Sequence, residues 1–141
     1  MNERISDMTA GLLAFVLTLV AFGLIDAAWL KTMAPRAYAT EIGALLRDKP
    51  RVVPALLFYL MFTAGLAFFA VMPGISAKSP LAAFALGAVL GLVGYGTYNL
   101  TNLAVMRGYS TRIAAIDLLW GVTASAVTAG LVTWIDLRLI A

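Results

Sequence analysis

Val52-Val53-Pro54-Ala55-Leu56-Leu57-Phe58-Tyr59-Leu60-Met61-Phe62-Thr63-Ala64-Gly65-Leu66-Ala67-Phe68-Phe69-Ala70-Val71-Met72 runs for 21 residues without a charged side chain. A helix needs about 20 mostly apolar residues to cross the hydrocarbon core of a bilayer. Three more stretches meet that length. The first covers about 8–30, with Asp26 as its one charge. Another covers about 81–106, with none. The last covers about 113–135, with Asp117 as its one charge. The chain therefore reads as all-α, a polytopic membrane protein whose residues 1–141 form a single four-helix transmembrane domain.

Composition agrees. Of 141 residues, 62% are hydrophobic and 12% charged, against about half and about a quarter in soluble domains. A small domain has too much surface to hide such a sequence from water. A soluble domain, a disordered chain and a nucleic-acid binder are excluded, and the net charge of +3 is better read as membrane orientation. Cys and His are both absent. Disulfides, thiolate or imidazole metal sites, His-ligated haem and a Ser-His-Asp triad are excluded with them. No cofactor and no metal site are expected, since two carboxylates without His are a thin basis for one.

Punctuation falls between the spans. Pro73-Gly74 ends the second. Ser79-Pro80 reads as an N-cap followed by Pro at the first helical position. Arg107-Gly108-Tyr109-Ser110 separates the third from the fourth, with Ser110 or Thr111 as the next cap. The first span is too long for the apolar core of a signal peptide and lacks a basic leader, so it is expected to be retained. Lys31, Arg36, Arg47, Lys49, Arg51, Arg107 and Arg112 lie on one side of the membrane; Arg4, Lys78 and Arg138 lie on the other. The positive-inside rule puts the first group in the cytoplasm and both termini outside, in a bacterial inner membrane. In the first loop, Pro35 starts a short helix. Tyr38, Ile42, Leu45 and Leu46 make one apolar stripe along it, expected to lie on the cytoplasmic leaflet.

Charges within spans are expensive and by default mark function. Asp26 and Asp117 fall at similar depth near the cytoplasmic ends of the first and fourth spans, and each precedes a Trp by one turn, Trp29 and Trp120. The third span adds Tyr95, Asn99 and Asn102 at i, i+4 and i+7, with Tyr98 beside them. Lipid cannot satisfy those groups, so they face the bundle interior. Gly91 and Gly87 extend that face and match Gly121, Ser125 and Ala129 on the fourth span, a pattern for close helix packing. The expected ligand site is Asp26, Tyr95, Tyr98, Asn99, Asn102, Asp117 and Trp120, in a polar cleft that Tyr59 closes. Trp29 and Tyr109 read as interfacial belt residues. A purely structural role for any one of the polar residues remains open.

Five blocks carry a family resemblance: 25–30 (Ile-Asp-Ala-Ala-Trp-Leu), Phe58-Tyr59, 69–73 (Phe-Ala-Val-Met-Pro), 94–104 (Gly-Tyr-Gly-Thr-Tyr-Asn-Leu-Thr-Asn-Leu-Ala) and 116–121 (Ile-Asp-Leu-Leu-Trp-Gly). They resemble DUF2177, a family of small bacterial integral membrane proteins of unknown function. The resemblance covers nearly the whole chain. Where its pattern has Tyr-Asp-Leu-Thr-Asn, this chain has Asn99 in place of the Asp, which favours binding or structure over acid–base chemistry at that position. The resemblance implies a connection to lipid modification only by association.

Three functions stay open. One is binding of a lipid or small amphiphile, as an accessory to lipid modification. A second is a membrane-embedded enzyme with Asp117 or Asp26 as acid or base and Tyr95 or Tyr98 as proton donor. A third is a small ion- or proton-coupled transporter acting as a dimer; no P-loop is present for nucleotide-driven transport. The expected partners are membrane lipids, a lipid-like ligand, and a second copy or another membrane protein.

Overall fold

A computed structural model describes the backbone of residues 2–140 and the side chains of residues 8–140. The chain is an all-α bundle with four helices long and apolar enough to cross a membrane. Helix α1 spans Asn2–Met33 and passes through a wide turn, Ala34–Tyr38, into a short helix α2, Ala39–Ile42. Helix α3 is the Val52–Ser76 span, α4 is Pro80–Val105 and α5 is Thr111–Ile135. The helices pack in a ring: α1 against α3 and α5, α4 against α5, and the distal part of α3 against α4.

Two helices run past a proline where the sequence predicts a break. Pro73 does not end α3, and Pro35 does not start a separate helix. A proline ring clashes with the carbonyl four residues back and removes one hydrogen bond. The backbone answers both times with a wide π turn, at Ala67–Val71 just before Pro73 and at Ala34–Tyr38 around Pro35. The turn at Pro35 has a consequence for the site. It keeps the chain helical and swings Tyr38 and Ile42 inward, Ile42 being buried. Only Leu45 and Leu46 of the expected leaflet-facing stripe are exposed. Glu41 ties this extension to the start of α5, accepting from Ser110 Oγ at 2.8 Å and pairing with Arg112 at 3.0 Å.

The predicted caps are present. Ser79 Oγ accepts from Ala82 N–H at 3.1 Å, and Ser110 Oγ accepts from Ile113 N–H at 3.3 Å. Threonines within the spans return their hydroxyls to the carbonyl one turn back, as Thr18 does to Ala14 (2.7 Å), Thr63 to Tyr59 (2.6 Å) and Thr123 to Leu119 (2.8 Å). In hydrocarbon no water can take that bond, so the helix satisfies its own side chains. The outer surface is a shell of leucine, valine and phenylalanine, which suits lipid contact.

Helices α4 and α5 are the intimate pair. A methyl group at Gly87 would lie 2.6 Å from the Ser125 carbonyl, and one at Gly91 would overlap the Gly121 carbonyl. The backbones touch because these residues lack a Cβ, as the small-residue spacing predicts. Farther along, the Tyr95 ring covers Gly121. Aromatic residues then replace glycine on the α4 face, and the packing changes. On the other side of α4, Phe62 and Tyr95 meet edge to face with centroids 5.7 Å apart. Backbone contact between α3 and α4 is concentrated beyond that point, in Ala67–Ser76. The end of the bundle nearer the two basic loops is therefore less tightly closed.

This packing makes a direct prediction. Gly91→Ala must push α5 away from α4 and should lower stability by about 1–3 kcal/mol, the usual cost of overpacking. Gly65→Ala, with nothing within 4 Å of its would-be methyl, should not lower stability and should raise it slightly, since Gly costs a helix interior about 0.5–1 kcal/mol relative to Ala. Thermal melts of both variants in detergent check the contrast.

Candidate functional site

Asp26 lies seven residues before the end of α1, and Asp117 six residues after the start of α5. The two helices are antiparallel, so both carboxylates sit toward the basic end. Each receives two hydrogen bonds, all from neutral donors. Asp26 Oδ1 accepts from Trp120 Nε1 at 2.9 Å, and Oδ2 accepts from the Tyr59 hydroxyl at 2.5 Å. Asp117 Oδ1 accepts from the Tyr38 hydroxyl at 2.5 Å, and Oδ2 accepts from Asn99 Nδ2 at 2.7 Å. The donors come from α1's extension, α3, α4 and α5. Nearly every element therefore contributes to holding two carboxylates.

The one-turn spacing of Asp and Trp puts each pair on one face, but the pairing is crosswise. Trp120, which follows Asp117, donates to Asp26. Trp29, which follows Asp26, donates to Tyr38 Oη at 3.3 Å, and Tyr38 in turn donates to Asp117. Between them the two indoles stack, centroids 4.2 Å apart and planes 4° from parallel. The stack connects the two carboxylate clusters. Asp26 and Asp117 do not hydrogen-bond to each other; neutral rings and hydroxyls join them.

Asn99 is 1% exposed and fully used. Its Nδ2 donates to Asp117 and to the Tyr95 carbonyl at 2.9 Å, and its Oδ1 accepts from the Tyr109 hydroxyl at 2.8 Å. Asn102 is half-buried beside Tyr109 and outside the cavity wall.

A cavity of about 490 Å³ opens beside these groups. Its wall includes Asp26, Asp117, Trp120, Tyr95 and Tyr98 of the expected site, together with Tyr59. Asn99 stands behind the wall as a support for Asp117, and Asn102 stands farther off. The second span contributes more than a lid, with Ala55, Phe58, Met61 and Phe62 on the wall as well. Phe22, one turn before Asp26, is fully buried against Phe62 and Tyr59, with centroids 5.2 and 6.2 Å away. Met61 and Tyr98 mark the open rim, 72% and 58% exposed.

Three residues gain roles that sequence reasoning missed. Tyr38 is a partner of Asp117, concealed by the reading of Pro35 as a helix start. Trp29 and Tyr109 read as belt residues, yet one forms the indole stack and the other anchors Asn99. The polar amphiphilic end of each could have been read either way, because a belt Trp and a Trp paired to a carboxylate share the same depth.

Among the described residues, no group of three or more His, Cys, Asp or Glu side chains is placed to hold a metal ion. No curated protein and no solved structure matches the chain. A family model described as a predicted membrane protein, DUF2177, matches residues 11–134. The four-span bundle and its carboxylate–aromatic cavity are thus features of a chain that belongs to the DUF2177 family of predicted membrane proteins.

Proposed function

We propose that this protein binds a lipid or small amphiphile in the cavity, from within an inner membrane. The observation that carries the reading is the cavity's mixed character: eight of its fourteen wall residues are aromatic and two are carboxylates. Ligand sites are commonly apolar hollows of about 300–1,000 Å³ with a few polar groups that fix orientation. This one is apolar enough for a hydrocarbon or ring body, and Asp26 and Asp117 supply the orienting groups. Its rim at Met61 and Tyr98 lies on α3 and α4, whose outer faces carry lipid-facing residues such as Leu57 and Leu100. A ligand dissolved in the membrane could enter there without crossing water. The basic loops are on the cytoplasmic side in this reading and both termini are outside.

A second reading, coupled transport, has one observation in its favour. Helix α5 buries Ser125, Thr128 and Thr133, and the turn that follows it buries Asp136, toward the opposite end from Asp117. Ser125 Oγ and Thr128 Oγ1 have no hydrogen-bond partner among the described residues. Polar groups on one helix do not make a passage, and the cavity described above lies at the end nearer the basic loops, so binding ranks first.

Native mass spectrometry on gently solubilised protein tests binding. Wild type should hold a specific amphiphile adduct that Asp117→Asn loses while still folded, because the amide replaces one of the two carboxylate acceptor oxygens with an N–H donor. No adduct beyond bulk phospholipid in either protein would overturn the reading. Orientation is checked separately, since the chain has no cysteine of its own. A membrane-impermeant maleimide added to spheroplasts should label Lys78→Cys and spare Lys49→Cys; the opposite pattern would reverse the topology.

A further inference from the structure

Asp26 and Asp117 hold a charge imbalance. Among the described residues, they are the only charged side chains on the cavity wall, and the only ion pair is Arg112–Glu41, outside it. Every group bonded to the two carboxyls is a neutral donor. Both oxygens of each carboxyl are engaged by these neutral groups, and no cationic side chain is among them. A carboxylate has about four lone-pair sites, and each of these uses two, so acceptor capacity is left over. A buried charge is costly unless it is paired, and Asp26 is only 5% exposed.

The wall offers a second kind of attraction for the same partner. Aromatic faces carry a negative quadrupole that draws cations, Trp most strongly. The stacked Trp29 and Trp120 lie between the two carboxylates, and Phe58, Phe62 and Tyr95 line the space beside them. No lysine or arginine competes for these faces on the wall. An anionic head would meet two carboxylates and no cation. A neutral head would leave the spare acceptor capacity of both carboxyls without a cation.

We infer that the cavity selects an organic cation: an amphiphile whose ammonium or comparable onium head lies in the cavity against the Asp26 and Asp117 side of its wall, with its apolar body against the aromatic residues. This rests on the binding reading above and names the class of ligand. The onium could belong to a phospholipid head such as ethanolamine or to a free lipophilic amine. The chemistry recognised is the same.

Two probes of matched shape and opposite charge test it: tetraphenylphosphonium and tetraphenylborate, titrated onto the full chain in an uncharged maltoside detergent. A Trp134→Phe background leaves Trp29 and Trp120 as the only tryptophans, so emission reports on the cavity. The phosphonium should bind saturably and the borate should not. Asp26→Asn and Asp117→Asn should each weaken phosphonium binding about tenfold or more. The wild-type contrast between the two ions stands even if a variant fails to fold. Competition identifies the source: displacement by short-chain phosphatidylethanolamine but not phosphatidylglycerol points to a lipid head, and displacement by dodecylamine alone points to a free amine. Equal binding of both ions, or preference for the borate, overturns the cation inference and leaves amphiphile binding in place. Neither ion binding, with an adduct still seen by native mass spectrometry, does the same. Neither ion binding and no adduct overturns both.

Discussion

A carboxylate inside a membrane span must find its hydrogen bonds from protein, because lipid offers none. That constraint organises this bundle. Asp26 and Asp117 each take two donors, and those donors come from four separate parts of the chain. A hydrogen bond to a charged group contributes about 1.5–3 kcal/mol, more than a neutral one. Four such bonds fix the relative placement of α1, its extension, α3, α4 and α5 at one end. The indole stack adds a rigid contact where the two clusters meet, worth about 0.5–1.5 kcal/mol beyond its burial.

The other end depends on the opposite means. There the α4–α5 contact is made by absence: Gly87, Gly91 and Gly121 let backbone touch backbone. Without a hydrophobic driving force between helices in lipid, such close contact is what holds them. The change occurs within one helix. Gly91 meets α5 directly, and one turn later Tyr95 lays its ring over Gly121. A ring takes space that a hydrogen atom does not. The cavity lies on the aromatic side of this change, bounded by Tyr95 and Phe62. Close packing in one half and a hollow in the other both follow from which residue α4 turns inward at each turn.

The spans, the caps and the depth of the two aspartates were legible because each rests on a local rule. Twenty-one uncharged residues can only be a span in this composition, and Ser79 and Ser110 cap the helices that the patterns announce. The small-residue faces were also legible, because Gly87 and Gly91 share a spacing with Gly121 and Ser125. Partners across helices were not. Spacing along a helix shows that Asp117 and Trp120 share a face, but not that Trp120 serves Asp26. Tyr38 was lost for a different reason. Proline normally stops a helix, and the wide turn that carries the chain past Pro35 has no sequence signature of its own. That single turn decides whether Tyr38 faces lipid or Asp117.

Asn99 shows how one residue type sets the charge of the whole cluster. Its amide lies 2.7 Å from Asp117 Oδ2 and is also committed to the Tyr95 carbonyl and the Tyr109 hydroxyl. An aspartate in its place would set two carboxyls face to face, and like charges that close cannot both be ionised in a dry interior. The pair would share a proton and titrate as a unit. An asparagine needs no shared proton. Asn99 Nδ2 donates to Asp117 while its Oδ1 is taken by the Tyr109 hydroxyl, so both ends of the amide are committed. An asparagine at this position supplies an N–H donor with no ionisable group, and so braces Asp117 without adding a second carboxyl to the cluster.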